Sequence, residues 1–166
     1  MPELLHGLRV SYDFFDTLGA GMQLGRTFQP EEDRPDRRYE IILSEGLWRR
    51  RFGADPHGLG RVLRLNETAF TVVGVPRGGF QSLEIPGVSG QPEMFMPLGY
   101  DVSLPYAFRS CQHLHLVGRL KPGVPAVRAH AELNGIMADL GKQYPDQYPP
   151  TRRRLWSLCA SMSPGR

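Results

Sequence analysis

The sequence predicts an α+β fold. Strand-like and helix-like stretches alternate along its 166 residues without the regular strand–helix–strand repeat of a doubly wound sheet. Its 19 glycines and 15 prolines favour many short elements joined by turns. No segment repeats at a fixed period.

The elements follow in order. Residues 10–18, VSYDFFDTL, predict a short helix with Ser11 as N-cap, Phe14, Phe15 and Leu18 on one face, and Gly19 as its stop. Met22 and Leu24 suggest a brief strand before an acidic turn at Pro30, Glu31, Glu32 and Asp33. Residues 39–43 read as a short buried strand. Ser44 then caps a helix through Phe52, with Glu45 in its first turn, arginines 49–51 at its end and Gly53 at the stop. Leu47, Trp48 and Phe52 form its apolar stripe. After the Asp55-Pro56 turn, residues 62–65 and 70–75 predict a hairpin around Asn66 and Glu67.

From 76 to 109 the chain is rich in loops, with one strand expected at 93–98. Residues 112–120 predict a strand with Leu114, Leu116, Gly118 and Leu120 on one face. A turn at Lys121-Pro122-Gly123 leads to a helix from Pro125 to about Gln143, whose buried face is expected to be Leu133, Ile136, Met137 and Leu140. Phe14, Phe15, Leu133, Ile136 and Leu140 are expected to complete the core around Trp48 and Phe52.

Composition bounds the function only loosely. A net charge of +3 from scattered arginines against 17 acids is weak ground for a nucleic-acid binder. No run approaches the ~18–20 apolar residues of a membrane helix, and the first seven residues are too short and polar for a signal peptide. Cys111 and Cys159 allow one disulfide without requiring it.

Several groups of residues invite a chemical reading. His113 and His115 share a strand face and could ligate zinc or copper, with His57, His130, Cys111 or a carboxylate as further ligands, although an exposed polar face explains them more simply. Ser44 follows a strand as a nucleophile would, but the flanking glycines of a nucleophile elbow are missing and a capping role is ready for it. Glu31, Glu32 and Asp33 lack the loop length of an EF-hand. Gly78-Gly79 lacks the Lys-Ser/Thr of a phosphate loop. Arg152, Arg153 and Arg154, near Trp156, form a short basic patch that could meet an anionic surface. None of these makes a catalytic set.

The ordered series of short motifs resembles the MacB-like periplasmic core domain of ABC transporter permeases. The resemblance is carried by Val10-Ser11, Phe14-Phe15 and Leu18-Gly19, then Leu24-Gly25-Arg26, Phe28 and Glu31-Glu32-Asp33. It continues through Leu43-Ser44, Leu47-Trp48, Arg50-Arg51-Phe52-Gly53, Asp55-Pro56, Gly60-Arg61 and Leu63. The last matches are Thr71-Val72-Val73-Gly74-Val75, Gly79-Phe80, and Arg119-Leu120-Lys121-Pro122-Gly123-Val124 before the Ala/Leu helix ending at Tyr144-Pro145. It covers about residues 10–146.

The resemblance implies a porter-like lobe of βαβ-type units, here 1–79 with 111–150, and an inserted, mostly β, loop-rich lobe at 80–110. Residues 151–166 diverge as a tail. It implies a non-catalytic extracytoplasmic domain on the periplasmic face of the inner membrane. Such a domain passes ATP-driven movement of membrane helices to substrate or partner proteins. No catalytic, cofactor-binding or metal-binding residue is carried over, and nucleotide is bound elsewhere. The implied partners are permease transmembrane helices, an ATPase domain or subunit, and periplasmic proteins. A dimer is compatible with this reading, and nucleic acid is not expected.

The chain departs from the family where Glu67 follows Asn66 in place of glycine, and where Pro125 replaces a capping Ser or Thr. Met1 also stands just before the first motif, so the sequence reads as a permease fragment without transmembrane helices. The rival readings are a small metal-binding protein or enzyme using His113 and His115, and a basic anionic-surface binder using Arg152–Arg154.

Overall fold

The computed structural model describes residues 4–82, 90–104, 107 and 114–148. Among them are six strands, β1 (Gly7–Val10), β2 (Met22–Gly25), β3 (Glu40–Leu43), β4 (Val62–Leu65), β5 (Thr68–Pro76) and β6 (Met94–Pro97). Three α-helices accompany them, α1 (Phe14–Leu18), α2 (Glu45–Phe52) and α3 (Ala126–Gln143). The chain divides into two compact units, residues 1–104 with 115–118, and residues 105–114 with 119–166.

The first unit is built on one mixed sheet in the order β1-β6-β3-β5-β2, with β4 pairing β5. β1 runs parallel to β6, and β3 runs parallel to β5. The β6–β3, β5–β2 and β4–β5 pairs are antiparallel. The stretch β3–α2–β4–β5 is therefore a βαβ-type crossover with a hairpin strand added.

β3 shows why the sheet is layered. Ile41, Ile42 and Leu43 are all fully buried, which requires both faces of the strand to be covered. On one face Ile41 and Leu43 pack with Leu47, Trp48, Phe70, Val72, Val75 and Met94. On the other Ile42 joins Val10, Phe14, Phe15, Phe28 and Phe95. Phe15 is the hub of this second cluster, its ring centroid 5.1 Å from Phe95, 5.4 Å from Phe14 and Phe80, and 6.3 Å from Phe28. The contacts with Phe14 and Phe95 are edge-on, a geometry that adds to the burial of the rings.

α2 forms as its sequence predicts. The Ser44 hydroxyl oxygen accepts the Leu47 N–H at 3.2 Å, and Gly53 closes the helix at φ 61°. α1 is shorter than expected. It begins at Phe14 after Asp13, while Val10 ends β1 and pairs with Pro97. Ser11 donates its hydroxyl to Asp13 (2.6 Å) instead of capping the helix. β2 and β5 approach closely at the paired glycines Gly25 and Gly74. A Cβ on Gly25 would stand 2.1 Å from the Val73 carbonyl oxygen, and one on Gly74 would stand 2.3 Å from that of Arg26. The hairpin between β4 and β5 turns through Asn66 (φ 46°) and Glu67 (φ 69°), two left-handed residues without a glycine.

The strand expected at 112–120 does not form over residues 114–120, which carry no regular structure and are exposed. Alternating leucines give a strand one apolar face, but a strand persists only where its backbone finds a ladder partner. Residues 112 and 113 lie outside the described residues.

In the second unit α3 runs as expected, with Pro125 at the N-cap position and Tyr144 ending it. None of its residues is buried, and Ile136 is 52% exposed. Leu133, Met137 and Leu140, three of the four residues expected on its buried face, are half-buried.

Candidate functional site

Polar side chains of the first unit gather mainly where turns meet the sheet. The single turn of 3₁₀ helix at Pro30–Glu32 sits beside the start of β3. Gln29, Glu31, Glu32, Asp36, Arg37, Tyr39 and Glu40 line a shallow concavity of ≈ 370 Å³ there. Arg26 grips Glu32 through two bonds, Nη1 to Oε2 at 2.9 Å and Nη2 to Oε1 at 2.5 Å. Glu32 Oε2 also accepts the Gln29 N–H at 2.8 Å. Burial would raise the Glu32 carboxyl, but these donors hold it below the ordinary range. Glu40 lacks such a grip, and burial, followed by the nearby Glu32 charge, pushes its carboxyl up.

Glu32 is held by an arginine and a backbone donor, and Glu40 accepts the Tyr39 N–H at 3.1 Å. Among the described residues no three His, Cys, Asp or Glu side chains are arranged to hold a metal ion. The concavity is lined with charge around a loop.

Asp33 at the end of the same turn does something different. Its Oδ2 accepts the Tyr12 N–H at 3.1 Å and its Oδ1 accepts the Gly99 N–H at 2.8 Å. Arg38 Nη1 donates to the Gly99 carbonyl oxygen at 3.2 Å. Sequence reasoning placed Asp33 in a solvated acidic turn and missed this role. Partners 21 and 66 residues away leave no local signature.

Around α2 the charges are paired in a helix-stabilising way. Arg49 meets Glu45 one turn earlier at 2.7 Å, and Arg50 reaches Glu93 at 2.6 Å. The Arg50 hydrogen bond holds the Glu93 carboxyl below its usual range. Ser44 caps α2 through the Leu47 N–H, the role its sequence position offered.

Of the residues singled out from the sequence, His115 is exposed on an irregular stretch. His57 pairs with Asp55 at 2.9 Å on the surface. His113, Cys111, Cys159 and the arginines 152–154 lie outside the described residues. The structure brings none of the described candidates together as a site.

Comparison with known proteins gives the fold a context. Residues 4–136 match the family model of the MacB-like periplasmic core domain. No curated protein matches the sequence. The periplasmic region of MacB from Actinobacillus actinomycetemcomitans is similar at 18% identity over 82% of this chain and 56% of that one, with a TM-score of 0.53. A domain of a protein described as a permease, from Porphyromonas gingivalis, is similar at 22% identity over 82% and 58%, with a TM-score of 0.50. The extracellular domain of the noncanonic ABC-type transporter YknZ, from Gram-positive bacteria, shares 21% identity over 55% and 42%, with a TM-score of 0.43. The chain spans roughly half the length of these solved structures. No helix among the described residues is long and apolar enough to cross a membrane.

Proposed function

The chain belongs to the MacB-like periplasmic core domain family, and from that premise we propose that it couples movement of permease helices to proteins or substrate outside the cytoplasm. The family match over residues 4–136 carries this reading. The mixed α+β sheet, similar in fold to the MacB periplasmic region, supports it. So does the use of Asp33 and Arg38, which hold the segments beyond β1 and β6.

In this reading the domain is non-catalytic and lies on the extracytoplasmic side of an ABC-type transporter permease. The working parts are a porter-like lobe at 1–79 and 111–150 and an inserted lobe at 80–110, followed by the tail 151–166. Its partners are the permease membrane helices, an ATPase domain or subunit that binds the nucleotide, and periplasmic proteins.

The test is made in the transporter that carries this segment. Deleting residues 4–148 should leave ATP hydrolysis by the nucleotide-binding part and abolish export. Export that persists at its former rate would overturn the coupling role.

A further inference from the structure

We propose that Asp33 is a mechanical latch, tying the segment that enters α1 to the segment that leaves β6, so that displacement of one is passed to the other. The latch lies where two parallel strands end. Val10 and Pro97 are the last paired residues of β1 and β6, and Leu98 donates its N–H to the Val10 carbonyl oxygen at 2.8 Å. Beyond that point Tyr12 and Gly99 each present a backbone donor to the same place. Two donors cannot bond to each other. An anion with two acceptor oxygens between them satisfies both, and Asp33 supplies it at 3.1 and 2.8 Å. Bonds from N–H groups to a carboxylate are about twice as strong as neutral ones.

The Gly99 side of the latch is braced on its other atom. Arg38 Nη1 donates to the Gly99 carbonyl oxygen at 3.2 Å, so one short loop, 33–38, holds both the N–H and the C=O of this residue. Gly99 sits at φ 49°, and a Cβ there would stand 2.8 Å from Arg38 Cδ and 3.2 Å from the Arg34 carbonyl oxygen. The position thus calls for glycine on both counts. Past it, residues 101–104 close on themselves, with Asp101 Oδ1 accepting from the Ser103 N–H and hydroxyl at 2.9 and 2.6 Å. The chain enters the second unit at residue 105. The latch therefore joins the segment that follows the first strand to the route out of the first unit. Its use in passing on movement rests on the coupling role proposed above.

Transmission can be read in the isolated chain from individual amide exchange rates, measured by NMR. Arg38 bonds to Gly99 and not to Tyr12. If the latch transmits, Arg38→Ala should speed exchange at Gly99 and also at Tyr12, by about threefold or more. In an Asp33→Ala background the same Arg38→Ala change should add nothing at Tyr12. A Tyr12 rate unchanged in Arg38→Ala would overturn the latch, as would an acceleration that survives in the double variant. The core amides of Ile42 and Val72 report whether each variant is folded. Asp33→Asn, which lacks the charge and one acceptor, replaces the alanine background if that variant does not fold. Failure here would leave the coupling role standing, because the deletion test reads export directly. Failure of the deletion test would leave the latch as a property of the fold.

Discussion

The indole N–H of Trp48 donates to the carbonyl oxygen of Asp55 at 3.0 Å. This bond fastens the buried face of α2 to the corner that follows it, because Gly58 lies directly against the same ring edge. The side chain is only 5% exposed, so it contributes both packing and a satisfied donor. Trp48→Ala should cost about 3–5 kcal/mol, a large share of the ~5–15 kcal/mol that holds a typical domain folded. Trp48→Phe should cost less, since the packing is largely kept. Urea unfolding of both variants checks the assignment, and a loss below about 1 kcal/mol for the alanine would refute it.

The close approach of β2 and β5 makes a second prediction. Gly74→Ala would drive a methyl group to 2.3 Å from the Arg26 carbonyl oxygen, a backbone atom that cannot swing aside. The sheet must shift, and the expected loss is about 1–3 kcal/mol, as for other overpacked interiors. Gly53→Ala serves as a comparison, because a Cβ there meets nothing within 4 Å and only the positive φ is strained. Denaturant midpoints should therefore fall further for Gly74→Ala than for Gly53→Ala.

Glu67 occupies a left-handed turn position that glycine fills without strain. Glu67→Gly should stabilise the chain by about 0.5–1 kcal/mol, the relief of the left-handed strain less the added freedom of the unfolded state. Thermal unfolding should show a higher midpoint. A lower one would mean that Glu67 makes a stabilising contact stronger than the strain it bears.

The two shifted carboxyls should respond to pH in opposite senses. Glu40 is raised in the folded protein, by burial first and then by Glu32. It therefore lowers stability as pH rises through the ordinary carboxylate range and above. Glu40→Gln should stabilise the protein at neutral pH, with the advantage vanishing in acid. Glu93 is lowered by its bond from Arg50. Its contribution is present above the ordinary range and lost as pH falls through the depressed folded value, so Glu93→Gln should destabilise at neutral pH and matter little in acid. Unfolding curves at several pH values test both signs.

What could be read from the sequence was what local residues decide. Ser44, Glu45 and Gly53 mark α2 within ten residues, and capping is a short-range interaction, so the helix appeared where expected. The Asn66-Glu67 hairpin was legible for the same reason. β1 was not, because four residues carry little periodicity and its partner lies near the far end of the unit. Residues 114–120 failed in the opposite direction: they have the alternation of a strand but lack the ladder that would make one. Asp33 was invisible as a bridge because a carboxylate does not announce which distant amides it will meet.

The pairing of β1 with β6 also sets an order of events. His6 donates its N–H to the Glu93 carboxylate, weakly at 3.5 Å, and accepts that of Glu93 at 2.8 Å from a residue 87 positions away. During synthesis β1 emerges well before β6, and this pairing must wait until the later strand has been made. The β3–β5 centre can assemble in the meantime, since loop closure grows more costly with the length of chain enclosed. Among the described strands the β1–β6 pair is then the last to close, and β1 is where a nascent chain would be most open to a chaperone or to a strand from its neighbour.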